Sequence, residues 1–288
     1  MENLPKSVQI VLRRLEEDGQ EAWCVGGCVR DSLLGRTPED WDVTTSALPE
    51  QIMELFGTQA RPTGLQHGTV SVTLEGETVE VTTFRVDGTY HDHRRPDQVT
   101  FTRSLEEDLR RRDFTINAMA LNLRGELRDP FCGQSDLTAG VLRCVGEPER
   151  RFEEDALRIL RGMRFASVLG LRVEEATAMG IHRCAPLLAQ IAPERIAKEL
   201  MGLLVGARAD AVLREYPDVI GVFWPEILPM VGFDQRNPHH RWDVYTHSVK
   251  TAALVPPSPA LRLAALLHDV GKPASFFLDE RGIGHFYG

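Results

Sequence analysis

The stretch that most constrains this chain is residues 23–45, WCVGGCVRDSLLGRTPEDWDVTT. An apolar run over 22–25 ends in Gly26-Gly27, a helical segment over 29–34 is closed by Gly35, and 41–45 reads as a returning strand. Side chains two apart on a strand share a face, so Asp40 and Asp42 are expected to point at one place. Two convergent carboxylates beside a glycine turn suit a divalent cation, Mg²⁺, and a nucleoside triphosphate. Gly26 and Gly27 let backbone approach a phosphate, and Arg30 adds a fixed positive charge. The plainer alternative is a polar turn through Pro38-Glu39-Asp40, and the Walker pattern is absent.

The rest of the first half builds a small sheet with helices around this stretch. Val8, Val11, Leu12 and Leu15 recur at helical spacing until Asp18-Gly19, and Pro49 opens a second helix carrying Ile52, Met53, Leu55 and Phe56. Residues 69–74 and 78–84 predict a hairpin around Glu75-Gly76-Glu77, and 121–127 a further one. Glu80 reads as solvent-facing on an alternating strand, with a third acid for the site as the alternative. Residues 87–99, DGTYHDHRRPDQV, read as an aperiodic polar loop of the kind that is usually mobile or functional. Ser104 and Glu107 predict a capping box, after which Arg110, Arg111 and Arg112 run into Asp113.

Beyond Gly146 strand signals give way to helical ones, which predicts an all-helical rear. Within it, Glu154-Asp155-Ala156-Leu157-Arg158 sets Arg158 one helical turn from both acids. A salt bridge is one reading. The other is a base reader: a carboxylate accepting from an amino group beside a guanidinium donating to a ring nitrogen fits cytosine and adenine and refuses uracil and guanine. Arg158, Arg161 and Arg164 fall on adjoining turns, as a solvated face would also place them. His247 with His268-Asp269 resembles a metal-holding set on facing helices, though an isolated histidine is more often a satisfied core residue.

Composition narrows the partners. A net charge of −9 confines nucleic-acid binding to local basic patches. Five scattered cysteines without metal spacing suit reduced thiols, so a cytoplasmic location is expected. There is neither a signal-peptide pattern nor an apolar run near the ~20 residues a membrane span needs.

Five motifs in order, GGCVRD (26–31), DWD (40–42), RRDFTINA (111–118), EDALRILRGMRF (154–165) and ERIAKEL (194–200), resemble the tRNA nucleotidyltransferases of the bacterial and eukaryotic class, the CCA-adding enzymes, with bacterial poly(A) polymerases as close relatives. The resemblance implies an α+β fold: a polymerase-β-like head over 1–146, a helical neck over 147–210 and a partial helical body over 211–288. It implies that Asp40 and Asp42 hold Mg²⁺ and that Gly26, Gly27 and Arg30 cradle the triphosphate. Arg111, Arg112, Asp113 and Asn117 would bind nucleotide and ribose. Glu154, Asp155 and Arg158, with Arg161 and Arg164 on the same helix, would select the base, and Arg195 and Glu199 would brace that helix. The implied partners are the tRNA 3′ end, CTP and ATP. Loop 87–99 resembles the loop of enzymes that add the terminal A, which favours full CCA addition over A-addition alone. Family members continue past a segment like HFYG, so a truncated body without a later acid for an HD-type metal site is expected.

Overall fold

The computed structural model describes residues 4–88 and 99–287, so the heart of the 87–99 loop lies outside the described residues. The chain divides into two compact units, Met1–Glu147 and Pro148–Gly288.

The front unit starts with α1 (Lys6–Glu17), whose stripe of Val8, Val11, Leu12 and Leu15 is buried as the spacing requires. There follow β1 (Ala22–Val25), α2 (Gly27–Leu33), β2 (Asp42–Thr45), α3 (Pro49–Phe56), β3 (Ala60–Gly64), β4 (Thr69–Leu74) and β5 (Glu77–Thr83). A separate ribbon, β6 (Arg85–Asp87) with β7 (Val99–Phe101), precedes α4 (Leu105–Arg110), β8 (Ala120–Leu121), β9 (Leu127–Arg128) and α5 (Gly133–Thr138). The main sheet runs β3-β4-β5-β2-β1-β8-β9. Its β2–β5 pair is parallel and its other pairs are antiparallel. A parallel pair needs a long crossover, which the path through α3, β3 and β4 supplies. The β4–β5 turn has positive φ at both Glu75 (50°) and Gly76 (85°), the geometry that matches strand twist in a tight hairpin. Trp23 and Val25 of β1 pack with Phe84, Leu109 of α4, Ala118, Ala120 and Val145 in a continuous core.

Three local expectations need adjusting. The second strand begins at Asp42 rather than residue 41, so Asp40 lies in the approach to the strand. The helix after the glycine turn begins at Gly27, two residues early, because Gly26 already takes φ 83° and turns the chain. Only half of the capping box forms: Ser104 Oγ accepts from Glu107 N at 3.3 Å, while the Glu107 carboxylate accepts instead from the Thr102 hydroxyl, and Ser104 N donates to Thr102 Oγ1 at 3.2 Å.

The rear unit stacks α6 (Pro148–Glu154), α7 (Leu157–Leu169), α8 (Glu175–Cys184), α9 (Pro193–Leu204), α10 (Ala209–Glu215), α11 (Pro217–Phe223), α12 (Val244–Leu254) and α13 (Pro259–Leu267). Nearly every side of α7 is buried, which makes it the central helix of this unit. The all-helical expectation misses a short strand, Arg172–Val173, and an antiparallel hairpin, Phe276–Leu278 with Gly284–Phe286. The hairpin's signal was present in sequence, since Asp279-Glu280-Arg281-Gly282 is a turn between apolar and aromatic residues. Among the described residues, no helix is long and apolar enough to cross a membrane.

Candidate functional site

In the front unit, β2 delivers Asp42 at its first residue, the exposed end of a strand whose Val43, Thr44 and Thr45 are buried. The parallel register sets Asp42 opposite Glu80 on β5. Glu80 is exposed, as the alternation predicts, and it also stands beside the acid pair. Partial loss of hydration beside the sheet pushes the Asp42 carboxyl up; Arg112 draws it back, and Asp40 raises it further. Glu80 is likewise held above the usual carboxylate range by burial, then by Asp42 and Asp40. Asp42 and Glu80, both raised, together with the neighbouring Asp40 carboxylate offer hard oxygen donors of the type a divalent cation takes. The donor type fits such an ion, while among the described residues the only set of three ligand atoms within 4.8 Å of one another is His247, His268 and Asp269.

Behind the acids lies a chain of polar contacts. Arg30 forms a paired contact with Asp31 at 2.9 Å and donates from Nη1 to Asn117 Oδ1 at 2.7 Å. Asn117 Nδ2 in turn donates to Asp113 Oδ1 at 3.0 Å, which also receives Phe114 N at 2.8 Å. Sequence residues 87 apart are thus tied together beside the glycine turn. Arg112 lies directly over that turn: a Cβ built on Gly26 would fall 3.0 Å from Arg112 Nη1. Gly26 is needed twice, for its positive φ and for this close approach. Arg111 is committed to Asp108, with Nε at 3.0 Å and Nη2 at 2.8 Å from Oδ1. Asp108 is a residue the sequence reading passed over as one of several acids in a first helical turn. It is fully buried, and although burial pushes its carboxyl up, Arg111 and Arg112 overcome this and hold it below the usual range.

In the rear unit the segment 154–158 is not one continuous helix. α6 ends at Glu154 and α7 begins at Leu157, because the Asp155 carboxylate accepts from Leu157 N at 3.1 Å and competes with the helical backbone pattern. The salt-bridge reading of Arg158 is realised, with Nη1 at 2.8 Å from Glu154 Oε2 and 3.1 Å from the Arg151 carbonyl. These contacts hold the guanidinium in one orientation, which a base reader also requires. Asp155 is raised by burial, against the pull of Arg195 and Arg158. Arg161 and Arg164 do not form a solvated face: both pack on the Phe165 ring, at 5.4 and 4.5 Å. From α9, Arg195 Nη2 reaches Asp155 Oδ1 at 3.6 Å and Glu199 Oε2 accepts from Arg164 Nε at 2.6 Å. Two cross-helix ion pairs therefore link α9 to the 155–164 segment.

Farther along, His247 of α12 and the pair His268-Asp269 after α13 bring one ligand atom each to within 4.8 Å of one another. Burial lowers the His247 pKa, which favours the neutral imidazole that a metal needs. His268 Nδ1 bonds the Ala265 carbonyl at 2.7 Å, which leaves Nε2 toward Asp269 at 3.2 Å. Lys272 Nζ is 2.8 Å from the same Asp269 oxygen and already balances its charge.

Residues 22–143 match the model of the poly A polymerase head domain, and residues 170–216 match that of the probable RNA and SrmB-binding site of polymerase A. The CCA-adding enzyme of Leuconostoc mesenteroides is 51% identical over 236 residues, covering 79% of this chain and 59% of that enzyme. Among solved structures, the Bacillus stearothermophilus CCA-adding enzyme in complex with CTP superposes with a TM-score of 0.73 at 38% identity, over 94% of this chain and 65% of that one. A tRNA nucleotidyltransferase complexed with a primer tRNA and an incoming ATP analog gives 0.66 at 26% identity, over 90% and 75%. The chain thus spans roughly three-fifths of the length of the curated relative it matches.

Proposed function

Because this chain belongs to the family of the CCA-adding enzymes, we propose that it adds CMP and AMP from CTP and ATP, without a template, to the tRNA 3′ end in the cytoplasm. In each addition the terminal 3′-oxygen bonds to the α-phosphorus and the bond to the departing pyrophosphate breaks. The observation that carries this reading is the placing of Asp42 opposite Glu80 across the parallel β2–β5 pair, two residues after Asp40, with Arg112 over the Gly26 turn in the same front unit. Asp40 and Asp42 would hold Mg²⁺, with Glu80 beside them. Bound there, the ion would polarise the attacking hydroxyl and offset the charge of the triphosphate.

The side chains of this chain carry the remaining roles. Gly26 and Gly27 admit the triphosphate, Arg112 opposes its charge, and Arg30, Asn117 and Asp113 form a braced wall for nucleotide and ribose. Asp155 accepts the amino hydrogen of cytosine or adenine while Arg158 donates to the ring nitrogen, and Arg195 and Glu199 hold that segment in place. The test is sequencing of products from tRNAs ending before CCA, after C and after CC. Completion of all three substrates is expected. Extension of only the last would leave A-addition, and runs of A would make the chain a poly(A) polymerase.

A second reading rests on the His247, His268 and Asp269 cluster, which supports a metal-dependent phosphohydrolase in the rear unit. It predicts Mn²⁺ or Ni²⁺ binding by calorimetry, together with hydrolysis of a phosphodiester such as bis(p-nitrophenyl) phosphate that survives Asp40→Ala and is lost in His268→Ala. Absence of both binding and hydrolysis in the unaltered chain rejects it.

A further inference from the structure

Asp108 Oδ1 accepts from two nitrogens of Arg111 and from the backbone N–H of Arg85 at 3.3 Å. Its other oxygen, Oδ2, faces Thr44 Oγ1 at 3.2 Å and Arg112 Nη2 at 3.7 Å. Thr44 lies two residues beyond Asp42 on β2 and so on the same face of that strand. One buried carboxylate thus touches the strand that bears Asp42 and both arginines of the following motif.

Charge decides what this arrangement can do. Arg111 takes the close contacts of the Asp108 carboxylate and also lies 3.9 Å from Asp87, so Arg112 shares only the outer edge of Asp108, at 3.7 Å, and its guanidinium also feels Asp42 and Asp113. Arg112 Nε is buried and has no hydrogen-bond partner among the described residues. Its Nη1 covers the Gly26 turn and its charge reaches Asp42. A guanidinium secured along one edge, with a buried N–H left without a partner and a second edge over the glycine turn, is prepared for an anion of several oxygens.

We propose that Asp108 is a positioning residue: it secures Arg112 over the Gly26 turn, in register with the strand of Asp42, so that Arg112 meets the polyphosphate of the incoming nucleotide. This rests on the nucleotidyltransferase reading above, in which Arg112 opposes the triphosphate's charge, and adds to it what aims Arg112. Asp108 does not touch the nucleotide. A residue that merely stabilised the fold would affect all ligands alike, whereas one acting through Arg112 affects ligands according to their phosphates.

The experiment is equilibrium binding of CTP and CMP to the full chain, to Asp108→Asn, to Arg112→Met and to the double variant. Asp108→Asn is expected to weaken CTP about tenfold and to change CMP by less than about twofold. The double variant is expected to bind CTP no more weakly than Arg112→Met alone. Equal weakening of CTP and CMP, unchanged CTP binding, or additive losses would overturn the proposal. If Asp108→Asn does not fold, Thr44→Val removes the hydroxyl that faces Oδ2 and also bonds the Thr82 carbonyl at 3.1 Å; loss of the Thr82 bond affects all ligands alike, and a CTP-selective loss of about threefold is expected from the Asp108 side. No selective loss there overturns the proposal as well. If the unaltered chain binds no CTP, the nucleotidyltransferase reading itself fails, an outcome distinct from any of these.

Discussion

Asp42→Ala is expected to lower CMP incorporation into tRNA by about a thousandfold or more while leaving the protein folded and more heat-stable near neutral pH. The activity loss follows from removing the acid that lies opposite Glu80 and two residues after Asp40. The gain in stability follows from the direction of the Asp42 shift, which burial raises first and Asp40 adds to. When the folded pKa of an acid exceeds its unfolded value, the native state binds more protons through the interval between them, so stability falls as pH rises across it. Above that interval the ionised acid costs stability, and below it the cost vanishes. Asp42→Asn, which keeps the shape and removes the charge, should therefore melt higher than the unaltered chain near pH 7 and no higher near about pH 3. Mg²⁺ should raise the melting temperature of the unaltered chain near neutrality, lose that effect as protons compete at low pH, and stabilise Asp42→Asn much less. Undiminished incorporation, or an equal Mg²⁺ shift in both proteins, would remove Asp42 from the metal site.

The acids and the glycine turn were legible because their signals are local. Gly-Gly after an apolar run, and carboxylates two apart before β-branched residues, need no knowledge of distant contacts. Glu80 was harder, since its place beside Asp42 depends on the parallel pairing of β2 with β5, and nothing local in sequence specifies which strands become neighbours. Asp108 was harder still. It sits in a run of three first-turn acids, where solvent exposure is the ordinary outcome, and only the burial of that helix face against Thr44 and the two arginines sets it apart. The interruption at Asp155 was hidden because Ala156 and Leu157 favour helix strongly; the cap made by the Asp155 side chain overrides that preference.

The same cap makes Asp155 the second large test, because its two roles can be separated. As a cap-like acceptor one residue before Ala156, the N-cap of α7, Asp155 holds the helix start through Leu157 N, and loss of one such hydrogen bond typically costs ~1 kcal/mol. As a base reader it must be an ionised acceptor. Asp155→Asn keeps an oxygen for the cap but surrenders the charge, whereas Asp155→Ala loses both. Both variants should lower the kcat/KM preference for CTP over UTP by about ten- to a hundredfold, while only Asp155→Ala should also melt earlier. An unchanged preference in both would assign Asp155 to structure alone. pH supplies an independent check. Burial raises the Asp155 carboxyl, so it takes up a proton at a higher pH than an ordinary aspartate would. Once protonated, it is a donor where an acceptor was needed, and a donor suits the carbonyl oxygen of uracil rather than the amino group of cytosine. Preference for CTP over UTP in the unaltered chain should therefore decline as pH falls toward the raised value, and this decline should be absent from Asp155→Asn, which has no proton to gain there.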